Sequence, residues 1–197
     1  MVKIKFATMH PDAKIPTKKT ENAGYDIYAA FDEDFIEIEP CETKMIPTGI
    51  CSAFPEEYVM VLKERGSTGT KGMGQRSGVV DSGYRGQWFV PITNHNKDAS
   101  LFISKLSLKE LTDYCYERTL KQVSEGIDEG LDEEEANTLR AAVSLALMHC
   151  TVYPYEKAIA QALLLPVPYT NIVECTLEEI MEVPSERGTG ALGSSGK

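Results

Sequence analysis

The chain has 197 residues, 42% of them hydrophobic, enough to bury a real core and too many for wholesale disorder. Its 30 acidic against 20 basic residues leave a formal charge of −10. That balance excludes broad nucleic-acid binding, because phosphates demand clustered Lys and Arg, so a polyanionic ligand would need locally gathered cations. The opening Met1-Val2-Lys3-Ile4-Lys5-Phe6 alternates like a strand and lacks the apolar stretch of a signal peptide. No run reaches the roughly 18 apolar residues of a membrane span. A cytoplasmic protein without membrane contact is expected. Cys41, Cys51, Cys115, Cys150 and Cys175 show neither a C-x-x-C pair nor zinc-finger spacing, and read as reduced, structural thiols.

Residues 1–103 read as short strands separated by turns, the pattern of an all-β sandwich or barrel. Phe35 to Glu39 alternates cleanly, Tyr58 to Lys63 less so, and Gln87 to Ile92 is a third strand whose Pro91 favours an edge or a strand end. Residues 104–150 change character. Ser107 with Glu110, and Asp132 with Glu135, are capping signatures ahead of apolar residues at helical spacing, Leu108, Leu111 and Cys115 in one case, Leu139, Val143 and Leu147 in the other. With the turn Gly126 to Gly130 between them, they predict an αα-hairpin. Strand pattern returns over 151–184, where Lys157 to Pro166 is a buried run stopped by proline and Val173 to Val183 a strand-like or mixed stretch. Residues 185–197 form a Gly/Ser-rich tail that only a ligand would order.

Two stretches carry chemistry. Arg65 to Gly72 follows a strand and joins small residues and hydroxyls to two cations; such a loop brings backbone N–H groups and a forked guanidinium to phosphate, and its bland alternative is a polar turn. Gly78 to Gly86 is a strand entering a tight Asp81-Ser82-Gly83 turn, where a carboxylate can orient water and Tyr84 can floor a nucleoside pocket. The alternative there is a hairpin whose Asp81 bonds only its own turn.

In order, Ala23 to Ala30, Arg65 to Gly72, Gly78 to Gly86, Lys157 to Gln161 and Arg187 to Gly196 resemble the five motifs of the trimeric dUTPase family, covering most of the chain outside the helical hairpin. The resemblance implies a mostly β, jelly-roll-like fold with the hairpin as an insertion. It implies hydrolysis of dUTP to dUMP and pyrophosphate, which keeps uracil out of DNA, in a homotrimer whose sites lie between subunits. Asp81 would position the water that attacks the α-phosphorus, and Tyr84 would pack under deoxyribose. Gly78, Val79 and Val80 would read uracil, with Gln75 as a further nucleotide contact. Arg65, Gly66, Ser67 and Gln161 would hold phosphates, joined by Arg187, Gly193, Ser194 and Ser195 from the tail. Mg²⁺ would be carried by phosphate oxygens and water, with Asp26 acting indirectly and no direct protein cage.

The sequence departs from the family's pattern in places. Gly66-Ser67 reverses the usual Ser-Gly, Gly83 stands for an acid, and Lys157-Ala158 replaces Arg-Ile. Leu192 stands where a tail phenylalanine covers uracil, so Trp88 or Phe89 is expected to supply that cover, against the alternative that both are core aromatics. The hairpin is expected to be a passive, self-packed insertion, with a platform for a protein regulator as the other reading. Two competing functions are a dCTP deaminase-like enzyme of the same fold and a non-catalytic nucleotide- or regulator-binding module. The first would need a general acid where Pro91 stands, and the second should have lost Asp81.

Overall fold

The computed structural model of the chain describes residues 2–76, 78–124, 131–186 and 188–189. In chain order it contains β1 (Lys5–Thr8), β2 (Gly24–Ile27), β3 (Phe35–Ile38), β4 (Thr43–Pro47), β5 (Ile50–Ala53), β6 (Tyr58–Lys63), α1 (Gly66–Gly69), β7 (Met73–Gln75) and β8 (Val79–Asp81). There follow β9 (Phe89–Asn94), β10 (Leu101–Ser104), α2 (Leu108–Ser124), α3 (Glu133–His149), β11 (Thr151–Pro154), β12 (Ala160–Pro166) and α4 (Leu177–Met181). The chain divides into two compact units, Met1–Val167 and Pro168–Lys197. Among the described residues no helix is long and apolar enough to cross a membrane, and all five cysteines are free thiols.

The first unit is mostly β. Its described strands pair in the orders β1-β5, β11-β10-β3, β2-β12-β6-β8 and β4-β9-β7. Alternation sets which side chains turn inward: on β6, Met60 and Leu62 are buried while Val59 and Val61 are half-buried. Ile27, Ile38, Ile46, Ile92 and Ile103 meet them in one core, each contributing about 1.5–3 kcal/mol by burial. Asn94 is buried among them and fully used: its amide donates to Ile38 O (3.0 Å) and Ala99 O (2.8 Å), and its oxygen accepts from Asn96 N (3.0 Å).

Three expectations change in detail. Pro91 does not mark an edge strand, since β9 is the middle strand of its sheet. It is tolerated because β7 stops at Gln75, paired with Ile92, so Pro91 lies just past the end of that ladder and gives only its carbonyl, to Arg76 N at 2.9 Å. The run ending at Pro166 is buried only in its first half: Ala160 and Ala162 are fully covered while Leu165 is 42% exposed. Val173 to Val183, expected as strand-like or mixed, holds the five-residue helix α4, capped by Thr176 and Glu179.

Both long helices begin at capping boxes. Ser107 Oγ accepts from Glu110 N (3.3 Å) and Glu110 returns the contact to Ser107 N (2.8 Å); Asp132 and Glu135 do the same at 2.8 and 3.0 Å. The expected turn over 126–130 lies outside the described residues. The base of the hairpin is apolar, with Leu111 and Leu147 closing over Phe102 of β10. Strands β10 and β11 flank the hairpin and pair in parallel, which requires a long crossover between them.

Candidate functional site

At the end of β8 the backbone turns sharply, Tyr84 N donating to Asp81 O at 3.1 Å. The Tyr84 ring folds over Gly86, where any Cβ would run into the phenol, and its hydroxyl donates to Gln87 O at 3.0 Å. Arg85 stays on the turn, donating to the carbonyls of Ser82, Tyr84 and Ser52. The result is an exposed Asp81 at the rim of a cavity of about 250 Å³, walled by Val79, Tyr84, Phe89 and Met45 above Trp88. That is just under the ~300–1,000 Å³ of ordinary ligand pockets, room for a nucleoside with its phosphates outside.

The two candidate covering residues separate. Trp88 is 1% exposed, its ring set edge-on to Phe6 at 5.6 Å and its Nε1 buried without a partner, so it floors the cavity and cannot close over a ligand. Phe89, the first residue of β9, is 38% exposed beside Asp81 and Tyr84.

A second cluster forms where β2, β12 and β6 run side by side. Register places Gln161 between Asp26 on one neighbour and Lys63 on the other. Arg65, just past β6, sets its Nε 3.1 Å from Asp26 Oδ1 and donates from Nη1 to Ser67 Oγ and Ala158 O, both at 3.3 Å. With 30% and 36% of those two charged side chains exposed, solvent screens the pair and it is worth at most about 1 kcal/mol to stability. Its value is positional.

Local sequence explains the loop. Thr68, buried, donates to Arg65 O (2.9 Å) and accepts from Arg65 N (3.1 Å), pinning α1 from inside and leaving Gly66 and Ser67 on the exposed side. Gln161 Nε2 donates to Glu64 O at 2.7 Å, and its Oε1 occupies the space a side chain at Gly24 would need. Gln75 N donates to Glu64 Oε1 at 3.1 Å.

The fold thus groups Asp26, Arg65, Ser67 and Gln161 at one place and Val79, Asp81, Tyr84 and Phe89 at another. The two groups are distant. Asp81 pairs with Val59 near the start of β6, whereas Arg65 lies beyond its far end at Lys63, a run of roughly 13 Å along the strand at ~3.3 Å per residue. Of the expected tail contacts, Arg187, Leu192, Gly193, Ser194 and Ser195 lie outside the described residues. Sequence reasoning missed Met45 and Glu64. Nothing in Thr43-Lys44-Met45-Ile46-Pro47 marks Met45 as a cavity wall, whereas an acid directly before a phosphate-type loop is a signal for Glu64.

Comparisons with known proteins agree on one family. A family model described as dUTPase matches residues 11–105. The deoxyuridine 5'-triphosphate nucleotidohydrolase of Leptospira interrogans is 33% identical over 97 residues, 47% of this chain and 66% of that protein, so the match spans just under two thirds of the relative. That of Haemophilus influenzae is 37% identical over 102 residues, 49% of this chain and 67% of the relative. Among solved structures, the dUTPase of Staphylococcus bacteriophage 80alpha with dUPNHPP superposes with a TM-score of 0.64 at 22% identity, covering 99% of both chains.

Proposed function

The chain belongs to the dUTPase family, and from that premise we propose that it hydrolyses dUTP to dUMP and pyrophosphate with Asp81 as the water-positioning carboxylate. The observation that carries the assignment of roles is the exposed Asp81 on the rim of a nucleoside-sized cavity, one turn from Tyr84. Uracil and deoxyribose enter among Val79, Tyr84 and Phe89, with the backbone of Gly78, Val79 and Val80 reading the base. The α-phosphorus then stands outside the cavity, within reach of a water held by Asp81. In-line attack needs that water opposite the leaving pyrophosphate and cations to absorb the developing charge. Arg65 supplies the forked donor, with Ser67 and Gln161 beside it. Phe89 is the aromatic cover in place of the tail residue that is Leu192 here.

Among the described residues no three His, Cys, Asp or Glu side chains are grouped to hold a metal. The single carboxylate of Asp26 beside Arg65 suits a Mg²⁺ bound chiefly by triphosphate oxygens and water, an ion that dehydrates reluctantly. Asp26 would meet its water shell, and the ion would supply charge neutralisation at the phosphates.

The placement of Asp81 and Arg65 toward opposite ends of β6 favours a homotrimer whose sites are shared, in which a triphosphate held at one chain's Asp81 meets Arg65 of another. The hairpin of α2 and α3 brings none of the site residues and is read as an insertion outside the chemistry.

Asp81→Asn tests the assignment. Incubated with dUTP and Mg²⁺, the variant should bind nucleotide normally and release pyrophosphate at least about a hundredfold more slowly, the scale of losing a general base. Full-speed hydrolysis by this variant removes Asp81 from its role; no pyrophosphate from the unaltered protein, with dUTP still bound, turns the reading to a binding module.

A further inference from the structure

We propose that Glu64 is a positioning residue that clasps two sheets together across the site. Strands β6 and β7 belong to different sheets, so among the described residues no ladder joins them directly. The segment between them carries Arg65 and Ser67 and delivers the chain to Gln75. Glu64 closes this excursion, its Oε1 accepting the Gln75 N–H at 3.1 Å. Its backbone carbonyl accepts the Gln161 side-chain amide at 2.7 Å. Its other carboxylate oxygen lies along α1, 3.8 Å from where a Cβ on Gly69 would stand. One exposed residue therefore bonds two segments, at Gln75 and at Gln161, and directly precedes Arg65; Arg65 and Gln161 face phosphate in the proposed function, and the family resemblance implies Gln75 as a further nucleotide contact.

The side chain's charge makes the role testable by sign. An acid beside a triphosphate repels it, so a Glu64 that did nothing else would weaken binding, and its removal would tighten dUTP. A clasp makes the opposite demand. Holding Gln75 against the Arg65 loop keeps the donors of two sheets at fixed spacing, and releasing it lets the loop sample geometries that bind substrate poorly. Because a hydrogen-bond acceptor is what the clasp needs, glutamine can replace glutamate and alanine cannot.

The experiment compares Glu64→Ala with Glu64→Gln in the full chain. Its kinetic arm rests on the proposed hydrolysis of dUTP; its exchange arm does not. In Glu64→Ala the Gln75 amide should exchange with solvent at least about tenfold faster, read by NMR as a local opening. KM for dUTP should rise about tenfold, the change that loss of one such bond brings, with kcat reduced less than about threefold. Glu64→Gln should recover most of both losses. Unchanged Gln75 exchange in Glu64→Ala, tighter dUTP binding in that variant, or a Glu64→Gln protein as impaired as Glu64→Ala overturns the clasp. If the unaltered chain fails to turn over dUTP the reaction assignment falls, and Gln75 exchange still decides on Glu64.

Discussion

Gly24→Ala separates catalysis from stability at a single atom. A Cβ on Gly24 collides with Gln161 Oε1 and stands 3.0 Å from Gln161 Cβ and 3.1 Å from Cδ, so the amide must leave its place. Leaving breaks the Nε2 bond to Glu64 O, a loss of about 1 kcal/mol. Gly24 is in a strand, and is not one of the described glycines with positive φ, so its backbone suits alanine. Alanine there restrains the unfolded chain and returns roughly 0.4–1 kcal/mol. The two effects nearly offset, leaving the 3.0 Å Cβ approach, which β2 and β12 relieve by parting slightly, so Tm should fall by about 4 °C. Catalysis has no such compensation: with Gln161 displaced from beside Arg65, kcat/KM for dUTP should fall about tenfold, or ~1.4 kcal/mol in the barrier. Steady-state pyrophosphate release gives the rates and calorimetry gives Tm. The decisive comparison is a cycle with Gln161→Ala. If Gly24 acts through Gln161, the double variant should match Gln161→Ala alone to within about 0.5 kcal/mol. Multiplying effects would refute the reasoning.

Asp26→Asn should cost at most about 1 kcal/mol of stability, since its partner Arg65 is partly solvated, yet raise the Mg²⁺ concentration for half-maximal rate about tenfold; an unchanged Mg²⁺ dependence removes Asp26 from the metal end. Phe89→Leu should weaken dUTP binding several-fold at nearly unchanged Tm, whereas Trp88→Leu, which opens a cavity beneath the site, should lose about 2–4 kcal/mol of stability. Equal affinity in Phe89→Leu and the unaltered protein would deny it the covering role. Burial raises the Cys115 and Cys150 thiols above the ordinary range, the nearby Glu37 adding to it in both. A raised thiol stays protonated, and unreactive, to higher pH, so alkylation of Cys115 and Cys150 should lag that of the exposed Cys41 as pH rises from 7 to 9. The same shift means that stability contributed by these thiols is present below their unfolded value and lost as pH rises through the folded one. Thiols that react at equal rates would show the hairpin base to be open.

Local chemistry made much of the fold legible. Both capping boxes announce their helices because Ser107, Glu110, Asp132 and Glu135 bond within four residues of themselves, and nothing distant can overrule them. The proline in β9 misled for the opposite reason. Whether Pro91 sits at an edge depends on where β7 stops, a fact of pairing between strands rather than of the residues around Pro91. The parallel pairing of β10 with β11 was hidden in the same way, as was the exposure of Leu165, since one apolar run reads alike whether or not a neighbour covers its far end.

The site divides along the same line. Asp81 and Tyr84 were legible together because the turn that relates them is four residues long, and Arg65 with Ser67 because they share one loop. What no spacing in the sequence expresses is that these pairs lie toward opposite ends of β6 in the chain that carries both. Register does it: β8 meets β6 near the start of β6, while the Arg65 loop leaves from its end, where β12 brings Gln161 and β2 brings Asp26. A motif reading treats five segments as parts of one site. In the proposed function the strand ladder sorts the described segments into a nucleoside half and a phosphate half, and in the proposed homotrimer another copy would supply the missing half. The proposed Glu64 clasp fits that assembly, because it would hold the geometry of the phosphate half while the neighbouring copy brings its complement.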